Sequence, residues 1–304
     1  MIRCDETQLL LDFCHSDPLR YSAFISDLTP VEGGVAAALV ERYWVQDGRL
    51  VDRGEPTQEP VGHNVHYLDS EEDPSLLACV RSIGPCAKLR LEGVVPRGSE
   101  EEVREWVREL APVGAATTSE DIKRLLSDDL GATTWREAGH YTTTVEEFKP
   151  RAAHSVRRAS PADRLRWQRF VAENMDDPMV SGRKGCGSVV REFEFMCMGL
   201  PVDYYIAEKD GEIAGVASFG PLINHYDDIR ILFVSPRHRR QGFGASLLSA
   251  AMQDILARGR RPAYFAGGEP GPLLPLLACL GYRLNSTLYW TERYTWYDWV
   301  LVQR

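Results

Sequence analysis

Between Asp228 and Gly259 the sequence leaves few structural choices. Asp228-Ile229-Arg230-Ile231-Leu232-Phe233-Val234 is β-branched and apolar, a strand pattern, and Ser235-Pro236 ends it because proline lacks the N–H that a ladder needs. Arg237-His238-Arg239-Arg240-Gln241-Gly242-Phe243-Gly244 follows. From Ala245 to Arg258, Leu247, Leu248, Ala251, Met252 and Ile255 share one face at helical spacing, with Gly259 as the C-terminal stop. A strand, a basic glycine-bearing turn and a helix together suit an anion. The first N–H groups of a helix lack intrahelical acceptors and sit at the positive end of its dipole. Glycines let a phosphate approach those amides, and arginines add charge-assisted bonds. The turn is expected to hold a diphosphate. A Walker loop is excluded, because no Gly-Lys-Ser/Thr run stands at its spacing. A Rossmann fingerprint needs a third glycine at position 247, which is leucine.

With 304 residues the chain exceeds one ordinary domain, and the expected division is 1–150 and 151–304. Hydrophobic content of 44% and charged content of 26% describe a soluble globular protein with ample core, and the mixture of strands and helices read below makes the expected fold class α+β. No apolar run approaches the ~20 residues that cross a bilayer, and the amino terminus lacks a signal-peptide pattern. The net charge of -9 argues against nucleic acid as a partner and is compatible with a cationic amine. Seven scattered cysteines without a Cys-x-x-Cys pair point to a reduced, cytoplasmic protein. His63-x-x-His66 has no evident third ligand, so no metal site is expected.

In the first half, Glu32 to Val45 reads as a helix running into a strand, and Tyr43 to Val51 as a hairpin around Asp47-Gly48. Asp52 to Asp73 reads as loop, Leu76 to Ile83 and Ala87 to Val95 as strands. Ser99 with Glu102 forms a capping-box pattern before a helix carrying Val103, Trp106, Val107 and Leu110. A strand at Val113 to Thr117, a helix at Ser119 to Leu130 and a strand within Thr133 to Val145 follow. Glu146 to Arg151 is the expected linker.

Arg239-x-x-Gly242-x-Gly244 after Val234-Ser235-Pro236 resembles the acyl-CoA pyrophosphate loop of the GNAT N-acyltransferase superfamily. The order from Ser155 onward fits that resemblance. A strand at Ser155 to Ala159 precedes a helix capped by Ser160-Pro161-Ala162-Asp163, with Trp167, Phe170 and Val171 inward. A glycine-bearing segment from Asp176 to Gly187 and a helix carrying Val189, Phe193, Met196 and Leu200 follow. A hairpin around Lys209-Asp210-Gly211-Glu212 leads to the central strand. After the loop come a strand at Ala263 to Ala266, a helix at Pro272 to Leu280, Gly281-Tyr282 and two closing strands within 284–294 and 295–302. The first half repeats part of this order, but Pro96-Arg97-Gly98-Ser99 and Glu100-Glu101-Glu102 replace the basic loop. Three carboxylates there would repel a diphosphate. The first half therefore reads as a degenerate GNAT-like domain that does not hold CoA, with an unrelated accessory α+β domain as the other reading.

The resemblance implies acetyl-CoA, or another acyl-CoA, as co-substrate, and a small-molecule amine as acceptor. Backbone groups of Leu232, Phe233 and Val234 would hold the acyl carbonyl and pantetheine. The amides from Arg239 through Arg240, Gln241, Gly242, Phe243, Gly244 and Ala245 would hold the pyrophosphate, helped by the guanidinium groups of Arg239 and Arg240. Asp228, six positions before Val234, stands where some family members carry a catalytic glutamate; a capping or ion-pairing carboxylate is the alternative. His225 is the second candidate base. Glu192 and Glu194 either bind a cationic substrate or face water, the latter being expected. Leu277 replaces the family's thiolate-protonating tyrosine, and Cys279 reads as core. A non-catalytic acyl-CoA binder and a protein or lysine N-acetyltransferase remain alternatives, and a homodimer is left open.

Overall fold

The computed structural model describes residues 1–21, 24–25, 28, 43–46, 49–52, 63–83, 86–130, 134–181, 188–223, 225–267 and 273–291. The first half gives β1 (Ile2–Arg3), α1 (Thr7–Cys14), a hairpin of β2 (Tyr43–Gln46) and β3 (Arg49–Asp52), β4 (His63–Leu68), β5 (Leu76–Ile83), β6 (Cys86–Gly93), α2 (Glu100–Leu110), β7 (Gly114–Thr117), α3 (Glu120–Asp129) and β8 (Trp135–Thr142). The second half gives β9 (Val156–Arg158), α4 (Arg164–Glu173), α5 (Pro178–Ser181), α6 (Val189–Cys197), β10 (Asp203–Lys209), β11 (Glu212–Ile223), β12 (Tyr226–Val234), α7 (Phe243–Ala257), β13 (Arg261–Gly267), α8 (Leu273–Cys279) and β14 (Arg283–Thr291).

Apart from the β2–β3 hairpin, these strands form one mixed sheet in the order β1-β4-β5-β6-β7-β14-β8-β13-β12-β11-β10-β9. Its centre joins the halves by exchange. β8, from the first half, lies antiparallel to β13, and β14, from the second, lies antiparallel to β7. β8 and β14 pair with each other along eight residues of register, from Arg283↔Thr142 to Thr291↔Trp135. The sequence-based expectation closed the second half with its own two strands; instead β8 fills the place beside β13, and 295–302 lies outside the described residues.

Strand alternation divides the core between two faces. Tyr205, Ala207, Leu247, Met252 and Leu277 pack on the face covered by α7 and α8, while Tyr204, Ile206, Trp167 and Phe193 pack under α4 and α6. In the first half Leu76, Ala78 and Val80 meet α2 and α3; Leu77 and Cys79 meet α1. The α1 cluster also takes in Tyr226 and Ala263, so one apolar core crosses between the halves.

Several expectations need correction. α1 forms where nothing was legible, and β4 runs through the segment read as loop. β4 hides its strand character because its inward positions are polar: His66 lies against Phe24 at 6.2 Å. Burial holds that imidazole's pKa down at about 4. Ser99 makes no side-chain cap; the Glu100 carboxylate accepts from Gly98 N at 2.9 Å instead. Cys279 is exposed, not core. The expected helix from Glu32 to the start of β2, the turn at Asp47-Gly48 and the aromatic residues Tyr294, Trp296, Tyr297 and Trp299 lie outside the described residues.

Candidate functional site

The site begins where β12 and β13 part. They pair in parallel only from Tyr226↔Arg261 to Asp228↔Ala263, after which β13 follows β8. On its other side β12 stays paired with β11 as far as Gly215↔Val234. Among the described residues, positions 229–234 therefore have no strand paired on this side, an open backbone edge about 20 Å long at strand rise. The register jumps from Ser218↔Ile231 to Phe219↔Ile229, leaving Arg230 as the extra residue of a bulge. A bulge bends its strand and re-aims side chains, and this one sits at the mouth of the opening.

The turn after β12 is pinned by residues far apart in sequence. Ser235 N donates to Ala214 O at 3.0 Å, and its hydroxyl donates to Asn174 Oδ1 at 2.9 Å. Arg239 donates from Nε to the Val234 carbonyl (3.1 Å) and from its terminal nitrogen to Asp177 Oδ2 (3.0 Å). Its guanidinium thus braces the turn, a role that the spacing alone did not foresee. His154 stacks on Phe243 with centroids 3.7 Å apart, and its Nε2 donates to the Gln241 carbonyl at 2.6 Å. With the turn's carbonyls drawn inward, Arg240 takes φ +59° and Gly242 φ +90°. At Gly242 the left-handed backbone, more than crowding, favours glycine.

Among the described residues, the backbone N–H groups of Arg240, Gln241, Gly242, Phe243, Gly244 and Ala245 donate to no protein acceptor. Residues 239–242 are exposed, and Arg240 extends its side chain from this turn. A Cβ on Gly244 would lie 3.7 Å from Leu232 and 3.8 Å from Val234, so the open amides and the free strand edge adjoin. The arrangement can accept an anion at the helix start and an extended chain along β12.

Asp228 occupies the last position paired with β13. Its Oδ1 is buried without a hydrogen-bond partner. Burial raises its pKa from 3.8 to about 7; Arg230 pulls the other way, and Glu192 adds to the rise. A carboxyl poised there can take up a proton near neutrality. His225 is exposed ahead of β12, its carbonyl accepting from Arg261 N at 2.7 Å. Glu192 does not face water: it is only 1% exposed, with Arg230 3.7 Å from its Oε2. Glu194, half-buried, is bound in a two-pronged pair to Arg164 at 2.7 and 2.8 Å. Leu277 is fully buried in the α7–α8 core, so no hydroxyl stands at that position. Asn174, Asp177, His154 and Ser218 had no signal in local spacing, because each reaches the site from another element.

Residues 201–271 match the family model described as "Acetyltransferase (GNAT) domain". This stretch is similar to a GNAT domain. It contains β10 to β13 and the whole amide-rich turn, together with Asp228. A curated relative, phosphinothricin N-acetyltransferase of Streptomyces viridochromogenes, is 33% identical over 90 residues, 28% of this chain and 49% of that protein. The chain thus spans about half the length of the curated relative it matches. An acetyltransferase from the GNAT family from Colwellia psychrerythraea has a similar fold, with a TM-score of 0.51 at 11% identity, covering 84% of this chain and 94% of that one. The GNAT likeness of fold therefore extends well beyond residues 201–271.

Proposed function

We propose that this chain is a cytoplasmic N-acetyltransferase that moves an acetyl group from acetyl-CoA to the primary amine of a small molecule, by direct attack in a ternary complex and without a metal. The observation that carries this reading is the run of undonated amides from Arg240 to Ala245, adjoining the unpaired edge of β12. Acetyl-CoA, when bound, supplies the thioester carbonyl and a diphosphate tail. The amides of residues 240–245 hold the diphosphate, and the Arg240 side chain adds charge. Arg239 acts by bracing the turn through Asp177 and the Val234 carbonyl. The backbone of Leu232, Phe233 and Val234 holds the pantetheine and polarises the carbonyl. Asp228 takes the proton from the acceptor's ammonium group, leaving the nitrogen lone pair free to attack the thioester carbonyl; the C–S bond then breaks, and the CoA sulfur leaves as a thiol with the second proton shed by the nitrogen. His225 is the second candidate for that proton.

The first half does not hold CoA in this reading. In it, Gly98 N is occupied by the Glu100 carboxylate, and Glu101 and Glu102 add negative charge to the same helix turn. Calorimetry with acetyl-CoA tests the proposal, paired with thiol release over a panel of amines. One saturable site and turnover with small amines are expected. Absence of binding by the intact chain overturns the reading, and turnover with peptides alone moves the acceptor to proteins.

A further inference from the structure

Beside Asp228, three side-chain oxygens are buried without a hydrogen-bond partner: Asp228 Oδ1, Glu192 Oε2 and Ser218 Oγ. Ser218 is fully buried and Glu192 is 1% exposed. Buried polar atoms rarely stay unpaired without a reason, since desolvation goes uncompensated. They come from three elements that meet at the bulge. Ser218 pairs with Ile231, and Gly220, two residues on, pairs with Asp228; Glu192 reaches in from α6. Between them lies Arg230. Its guanidinium rests on Gly220, where a Cβ would collide with it. Its contacts are loose for a half-buried arginine: the Pro221 carbonyl at 3.5 Å and Glu192 at 3.7 Å.

Charge and valence together narrow the guest. A primary ammonium brings three donors, matching three orphan oxygens. Asp228 and Glu192 are offset by Arg230 and by Arg191, which lies 3.4 Å from Glu192. A net cation would break that balance, whereas a zwitterion keeps it, its anionic group meeting the under-used guanidinium.

We infer that the acceptor is amino-acid-like, its ammonium set among Ser218, Asp228 and Glu192 and its carboxylate, or a similar oxyanion, held by Arg230. This inference rests on the acetyltransferase reading above and names the class of acceptor for it. The test uses the intact chain with acetyl-CoA and matched sets of free α-amino acids, their carboxamides and their decarboxylated amines. The acids are expected to have kcat/KM roughly 30-fold above their carboxamides, the size of one charge-assisted contact. Arg230→Gln is expected to raise KM for the acids ~10–100-fold more than for the carboxamides, any change common to both reporting the loss of Arg230's pull on Asp228; the acetyl-CoA Kd stays unchanged and Arg230→Lys partly restores the acids. Carboxamides or simple amines turned over as well as the acids, no turnover of any member, or an Arg230→Gln loss equal for acids and carboxamides overturns the inference. Acetyl-CoA binding measured first separates the two failures: if binding is absent, the acetyltransferase reading falls as well.

Discussion

Helices α2 and α7 each begin shortly after a strand that parts from its parallel neighbour, yet the turns before them are held in different ways. Before α7, His154 holds the Gln241 carbonyl, Asn174 the Ser235 hydroxyl and Asp177 the Arg239 guanidinium, and the N–H groups of residues 240–245 have no acceptor among the described residues. Before α2, among the described residues, no side chain from a distant element braces the turn, and Glu100 folds back on Gly98 N. β6 and β7 also pair only from Lys88↔Gly114 to Arg90↔Ala116, so the splayed strands are common to both halves. Splayed strands alone therefore do not distinguish the two turns. The distinction lies in whether local carboxylates or distant side chains satisfy the turn.

The contrast can be broken most severely by cutting the chain at residue 150. β13 would lose β8 and β7 would lose β14, exposing long unpaired edges in both pieces. Neither piece is expected to be a monodisperse folded protein by circular dichroism and size-exclusion chromatography, and mixing them should restore acetyl-CoA binding. Next in size is Asp228→Asn, which should lower kcat ~10²–10⁴-fold. The same change should stabilise the fold at pH 8. With a folded pKa near 7 against 3.8, Asp228 favours folding most below pH 4, and that support fades as pH rises towards 7. Urea melts at pH 8 should put the asparagine variant ahead by about 2–4 kcal/mol. In the unmodified chain kcat/KM should climb with pH through about 7, as Asp228 loses its proton.

Gly242→Asp would give α7 the kind of carboxylate that Glu100 gives α2, and would strain the φ +90° position. Acetyl-CoA affinity should fall ~100-fold in calorimetry, with far-ultraviolet circular dichroism unchanged. The smallest effect belongs to the reverse change. Glu100→Gln should lower the melting temperature by only about 1–2 °C and create no second acetyl-CoA site, because Glu101 and Glu102 remain in the first turn.

The amide-bearing turn was legible because every determinant lies within Val234 to Ala245: proline to stop the strand, glycine for a left-handed residue, apolar spacing for the helix. The position of Asp228 was legible too, by its distance from the turn. Its altered acidity was not, since that depends on burial and on Glu192 approaching from another element. The same limit explains Arg239. Composition marks it as a cation near glycines; only folding brings Asp177 within 3.0 Å of it. β4 escaped notice because His66 and Asn64 break the apolar alternation, their polar groups being turned inward. The crossover of β8 and β14 is a long-range pairing with no local signature at all.

That crossover bears on how such a molecule can change over evolutionary time. Losing the half that has no anion-binding turn would strip a wall from the half that does, since β8 lines β13. Residues 1–150 thus serve as scaffolding for the second half, their loops free to drift while the exchanged strands β8 and β14 hold their places.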